Sequence, residues 1–252
     1  CGGKARRETD TMPNWAGSSW YFLRYIDPVN SGVIASMDKM KYWLPVDWYN
    51  GGMEHTTLHL LYSRFWTKFL FDLGVVPVSE PYAKRTSHGV ILGTDGRKMS
   101  KSKGNVINPD EVVAKYGADA LRLYEMFIGP FEQTVAWSWE SLEGTYRFLK
   151  RVWSLVISLQ SLTITSSEAK NRMAKLAQKI DSDLENMKFN TAVAAMMEFV
   201  NWWTDHKEEV GEDLVGIFLK ILAPMAPFTA EELWSKYSDE SIHKQDWPRL
   251  EV

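Results

Sequence analysis

The chain of 252 residues contains a single cysteine, so no intramolecular disulfide can form. That usage suits a reducing compartment and sets the expectation of a cytoplasmic protein. No apolar run is long enough to cross a bilayer as a helix, so no membrane partner is expected. The first residues, Cys1-Gly-Gly-Lys-Ala-Arg-Arg7, are polar and lack the apolar centre of a secretory signal. Because the first residue is not methionine, the chain reads as an excised or proteolytic piece of something longer. Histidine is scarce, with five in all. Without a second cysteine no zinc set is evident, and no sequence-encoded metal site is expected. A net charge of −3 argues against a generic polyanion binder. Internal repeats and low-complexity tracts are absent. Tryptophan, by contrast, is abundant: 12 residues supply enough bulk for a substantial core.

Punctuation along the chain suggests two parts. Residues 1–13 are polar and read as an entering linker, and 14–25 read as a helix with Trp15, Phe22 and Tyr25 facing inward. A short apolar strand over 46–50 stops at Gly51-Gly52. A helix follows from Met53 to Leu73, with Gly74 as its C-cap signal. Residues 86–92 alternate as a second strand, closed by the turn Gly93-Thr-Asp-Gly96. Asn108, Pro109, Asp110 and Glu111 open a helix that Gly117 ends. Beyond Asp119 no strand pattern remains. Helical periodicity runs over 138–160, 166–188, 190–206 and 211–222, and Thr229-Ala-Glu-Glu232 announces a last helix as a capping box. Alternating strands and helices suggest a parallel α/β sheet, and the remainder suggests a helical bundle. The change falls within 119–137, which assigns 1–118 to the α/β part and 119–252 to the bundle.

The densest chemistry lies in Arg97-Lys98-Met99-Ser100-Lys101-Ser102-Lys103-Gly104-Asn105. Between Lys84 and Lys103 six Lys and Arg stand against one acid, Asp95, a local charge of +5 in a chain whose total is −3. Lysines as point charges, with hydroxyls and exposed N–H groups, suit a mobile phosphate clamp. A solvated basic surface loop has the same composition. A second constellation is Tyr49-Asn-Gly-Gly-Met-Glu54-His55-Thr-Thr-Leu-His59. Its glycines sit where a strand gives way to a helix, so the backbone can approach a ligand closely. His55 and His59 share a helix face, but Thr56 stands where the metalloprotease motif needs Glu. Core-facing histidines with backbone partners are the other reading. A third stretch, Glu8-Thr-Asp-Thr-Met12 and then Ser18-Ser-Trp-Tyr21-Phe-Leu-Arg-Tyr25, reads from composition as an aromatic amphipathic helix.

These words resemble a known family. Lys98-Met-Ser-Lys-Ser102 is similar to the KMSKS signature of class I aminoacyl-tRNA synthetases, and Gly51-Gly-Met-Glu-His55-x-x-x-His59 resembles the leucine-type version of their strand–helix junction. The resemblance covers nearly the whole chain. It implies the second half of a Rossmann-like parallel sheet followed by an all-α bundle that contacts the body of tRNA. It implies ATP-dependent activation of leucine to leucyl-adenylate and transfer to tRNA(Leu), with Mg²⁺ accompanying ATP. By that likeness Lys98, Lys101, Ser100 and Ser102 act on the leaving pyrophosphate. Lys101, Met99, Gly52, Glu54 and His59 hold ATP or the adenylate, Glu54 through the ribose hydroxyls. Ser18, Tyr21, Tyr49 and His55 approach leucine. Residues 119–252 resemble the domain that follows the catalytic core, with Asp119-Ala-Leu-Arg-Leu-Tyr as its lead-in. From residue 164 onward 16 acids outnumber 10 bases, so no strong RNA footprint is visible there. Arg147, Lys150 and Arg151 form the one cluster suited to phosphate, or else a solvated helix face. The family's HIGH motif and editing domain are not found. The chain is therefore expected to be inactive alone and to need the missing N-terminal half in cis or in trans. A naturally split subunit and a non-catalytic RNA-binding module are the alternatives.

Overall fold

A computed structural model describes residues 2–6, 9, 15–159 and 164–250 of the protein. Glu8 and the Asp10–Met12 stretch lie outside the described residues. The chain forms two compact units, Cys1–Gly89 and Val90–Val252.

In the first unit the expected helix over 14–25 is two short ones, α1 (Trp15–Ser18) and α2 (Tyr21–Tyr25). Trp20, at φ −143° and ψ 2°, leaves the helical region and separates them. A third helix, α3 (Met37–Trp43), carries no strong sequence signal. Strand β1 (Tyr49–Gly52) pairs in parallel with β2 (Arg85–His88), Tyr49 opposite Arg85 and Gly52 opposite His88. The strand expected over 46–50 is thus shifted. Val46 makes an isolated bridge to Tyr82, and the two glycines close the strand instead of following it. The helix expected from Met53 to Leu73 is a 3₁₀ turn, Met53–Thr57, and then α4 (His59–Asp72). Leu58, at φ −115° and ψ −106°, breaks it. Gly74 ends α4 with φ 69°. Its N–H reaches Phe71 O and the Val75 N–H reaches Leu70 O, both at 2.9 Å, the paired bonds of a Schellman cap. Phe22, Leu23, Met40, Leu44 and Val76 form a small core.

The second unit begins with β3 (Ile91–Leu92), parallel to β4 (Val135–Ala136). The strand foreseen over 86–92 is therefore broken at Gly89-Val90. A strand also occurs beyond Asp119, where none was expected, because two residues are too few to display alternation. α5 (Pro109–Tyr116) starts as anticipated: the Asn108 side chain accepts from Asp110 N at 3.1 Å. α6 (Ala118–Phe127), α7 (Trp139–Ile157), α8 (Ser167–Glu185), α9 (Phe189–Asp205), α10 (Glu212–Leu222) and α11 (Pro227–Trp234) form the helical part. They enclose a continuous core that includes Tyr124, Leu142, Met196, Trp203 and Phe218. The capping box at Thr229 is not formed, since α11 starts two residues earlier with Pro227. The buried carboxylate of Asp119, on α6, accepts instead from Thr229 N at 2.6 Å and Phe228 N at 3.4 Å. Met99 and Ile107 pack on this core, which places the basic segment in the second unit. None of the described helices is long and apolar enough to cross a membrane.

Candidate active site

Six of the expected site residues, Ser18, Tyr21, Tyr49, Gly52, His55 and His59, line one cavity of about 400 Å³ in the first unit. Trp15, Arg85 and His88 also line it. Larger cavities, about 800 Å³ beside α7 and about 640 Å³ beside α2, contain none of the expected site residues.

The cavity is organised by Tyr49 at the start of β1. Its hydroxyl lies 2.7 Å from the Tyr21 hydroxyl and 2.7 Å from Nε2 of His59. Its ring stacks on Tyr82, centroids 4.1 Å apart. Burial, reinforced by the Tyr21 hydroxyl, pushes the Tyr49 phenol far up, so it stays protonated. His59 is 7% exposed. Burial, and then the charge His55 would carry, lower its pKa from the ordinary 6.5, so the imidazole is held neutral. The Nδ1 atoms of His55 and His59 and Nε of Arg85 are buried without a partner among the described residues. Trp15 meets His55 edge-on at 5.5 Å. Two imidazoles, phenol hydroxyls and a guanidinium around a small cavity can orient a polar ligand by hydrogen bonds while its apolar part meets aromatic walls.

The carboxylate of Glu54 folds back over Gly52, where a Cβ would meet it and push that exposed side chain aside. Glu54 is itself exposed and not part of the cavity wall. Arg85, opposite Tyr49 in the parallel register, donates to Gly52 O at 3.0 Å and to the Ser87 hydroxyl. It was visible in the sequence only as one charge of the basic run. Tyr82 and Ser63, joined at 2.8 Å, carried no sequence signal at all.

Lys98, Met99, Ser100, Lys101 and Ser102 belong to the second unit. Gly93 N donates to Arg97 O at 2.8 Å, and Gly96 turns the chain with φ 70°. Lys101–Lys103 is a single 3₁₀ turn, ended by Gly104 at φ 65°. Asn105 ties the turn together. Its Oδ1 accepts from Ser100 N at 2.9 Å, and its Nδ2 donates to Asp95 at 3.2 Å and to Lys98 O at 3.4 Å. The Arg97 backbone N–H, followed by Asn105, holds the Asp95 carboxyl below its usual range. The Ser100 and Ser102 hydroxyls are 2.9 Å apart. Lys98, Lys101 and Lys103 are exposed while Met99 is partly buried, so the turn displays three ammonium groups from a fixed base.

Residues 2–138 match the family of class I tRNA synthetases (I, L, M and V), and residues 167–252 match the anticodon-binding domain of tRNA ligases. The chain belongs to the class I tRNA synthetases of the isoleucine, leucine, methionine and valine group. Its strong likeness is to the leucine type. A leucine–tRNA ligase of Alkaliphilus oremlandii (strain OhILAs) is 56% identical over 249 residues, covering 98% of this chain and 31% of that protein. The crystal structure of an Agrobacterium radiobacter K84 agnB2 LeuRS in a ternary complex with tRNA and LeuAMS is 33% identical with a TM-score of 0.86, covering 99% of this chain and 35% of that one. A Mycobacterium tuberculosis methionyl-tRNA synthetase in complex with methionyl-adenylate shares the fold, with a TM-score of 0.64 at 16% identity over 87% of this chain and 48% of its own. The chain therefore spans about a third of the length of its leucine-type relatives.

Proposed function

We propose that the chain is the KMSKS-bearing part of a leucine–tRNA ligase, which joins leucine to ATP as leucyl-adenylate and then transfers it to tRNA(Leu). The observation that carries this reading is the cavity at the end of β1, where Ser18, Tyr21, Tyr49, Gly52, His55 and His59 meet, in a chain 56% identical to a leucine–tRNA ligase. In this reading residues 1–118 are the second half of a Rossmann-like catalytic domain, and 119–252 are a bundle that contacts tRNA. Ser18, Tyr21, Tyr49 and His55 surround leucine. Gly52, Glu54 and His59 hold the adenylate, with Glu54 accepting from ribose hydroxyls.

The lysines act electrostatically. Displacement at phosphorus asks a protein mainly to position the groups and offset negative charge. Lys98 and Lys101 supply that charge to the leaving pyrophosphate, and the hydroxyls of Ser100 and Ser102 and the backbone of the 3₁₀ turn add donors. Among the described residues no group of three His, Cys, Asp or Glu is placed to hold a metal ion. Mg²⁺ is expected to arrive with the triphosphate it accompanies.

Leucine-dependent ATP–pyrophosphate exchange tests the reading. The 252-residue chain alone is expected to show none. Supplying the N-terminal half in trans is expected to restore exchange with leucine preferred over valine and isoleucine. A preference for another amino acid refutes the leucine assignment, and robust exchange by the chain alone refutes its incompleteness.

A further inference from the structure

We propose that Ser63 and Tyr82 are positioning residues that commit His59 to the tautomer with its proton on Nε2, leaving Nδ1 a bare acceptor. The argument follows single hydrogens. A hydroxyl has one hydrogen to give and lone pairs to receive. Ser63, fully buried on α4, donates its hydrogen to Leu60 O at 3.2 Å. Tyr82 must therefore be the donor in the 2.8 Å bond between them. With its hydrogen spent on Ser63, the Tyr82 oxygen presents lone pairs to Nε2 of His59, 3.4 Å away. The Tyr49 oxygen stands 2.7 Å from the same nitrogen. A protonated Nε2 satisfies both oxygens, whereas a bare Nε2 would set lone pairs against the Tyr82 lone pairs. Tyr49 then keeps its own hydrogen for Tyr21, 2.7 Å away. The stack of Tyr82 on Tyr49 fixes the ring positions that make these distances possible.

The consequence lies at the other ring nitrogen. Nδ1 of His59 is buried and has no partner among the described residues. In the Nε2–H tautomer it can only accept, so a ligand group meeting it must bring a hydrogen, as the ammonium or a ribose hydroxyl of leucyl-adenylate does. That last step rests on the reading of this cavity as the adenylate site. Neither Ser63 nor Tyr82 needs to touch the ligand for this to hold.

The test is made first on the 252-residue chain with ¹⁵N-labelled histidine, whose ring-nitrogen resonances distinguish the two tautomers. The expected spectrum shows His59 protonated at Nε2 alone. Ser63→Ala releases the Tyr82 hydrogen to compete for Nε2 and is expected to convert the signal to a mixture of tautomers. Tyr82→Phe, which keeps the stacking ring, is expected to loosen the preference as well. A parent chain protonated at Nδ1 overturns the proposal, as does an Nε2–H signal that neither substitution moves. The second arm uses the enzyme reconstituted with its N-terminal half. Ser63→Ala is expected to weaken binding of a non-hydrolysable leucyl-adenylate analogue several-fold. A shifted tautomer with unchanged affinity for the analogue would leave the positioning role standing and overturn the reading of the cavity as the adenylate site.

Discussion

Single side chains decide the chemistry proposed for each unit. Lys101 is exposed on a turn whose base is fixed by Met99 and Asn105, so its ammonium is free to follow a moving charge. A charge that meets the triphosphate mainly as pyrophosphate departs stabilises the transition state selectively. Lys101→Ala in the complete enzyme should therefore slow adenylate formation by about 2–4 kcal/mol in activation free energy while leucine affinity hardly moves. Lys101→Arg should restore part of the rate, because a planar fork is a poor copy of a compact ammonium. Pre-steady-state adenylate formation and equilibrium leucine binding on one preparation separate the two effects. His59 gives a pH prediction whose sign follows from its depressed pKa. Above 6.5 the imidazole is neutral in both folded and unfolded chains, and it has no effect. As pH falls below 6.5 the unfolded chain takes the proton first, so stability declines until the pH passes the folded pKa, where the loss levels off. Denaturation of the chain between about pH 7.5 and about pH 5.5 should show a larger loss for the parent than for His59→Gln. The identities of these residues were legible in the sequence because they stand within recognisable words. Arg85, Tyr82 and Ser63 were not, because their relation to Tyr49 and His59 is set by a parallel register and a ring stack. Neither leaves a spacing to read along the chain.

At the scale of elements, the boundaries that failed are those where tertiary contacts override local signals. The glycines after 46–50 read as a stop. They are in fact the end of β1, held by a bond from Arg85 and overlain by the carboxylate of Glu54. Where the signal is local it held: Asn108 with Pro109, and Gly74, cap their helices as their chemistry demands. The start of α11 illustrates the other case. Thr229 and Glu232 have the spacing of a capping box, but the chain already carries a better acceptor in Asp119. Replacing Asp119 with Ala should cost about 1–2 kcal/mol of the stability of the second unit, because two N–H groups in the first turn of α11 lose their acceptor. Asp119→Asn retains an acceptor oxygen and should cost less. Urea titrations followed by helix signal measure both. Asn105 acts comparably on the lysine turn. Asn105→Ala removes the bonds to Ser100, Asp95 and Lys98 and should speed tryptic cleavage after Lys101 and Lys103 severalfold, with global unfolding unchanged.

For the whole molecule, the two units differ in what they can sustain. The second has a continuous apolar core spread over seven helices, whereas the first gathers six buried apolar side chains into its cluster. A small core leaves folding marginal. Residues 90–252 expressed alone should unfold cooperatively, and residues 1–89 alone should lack a cooperative transition; circular dichroism during heating compares them. The Asp119 contact has a further consequence for how the second unit is made. Its carboxylate meets backbone atoms 109 and 110 positions downstream, and Arg122 donates to Pro224 O across 102 positions. On a ribosome adding about 5–20 residues per second, α6 must wait roughly 5–20 s for the partners that seat it. Until then its apolar face has no cover from α11. That face of α6 stays open until residues 224–229 have left the exit tunnel, a delay that is written in one aspartate.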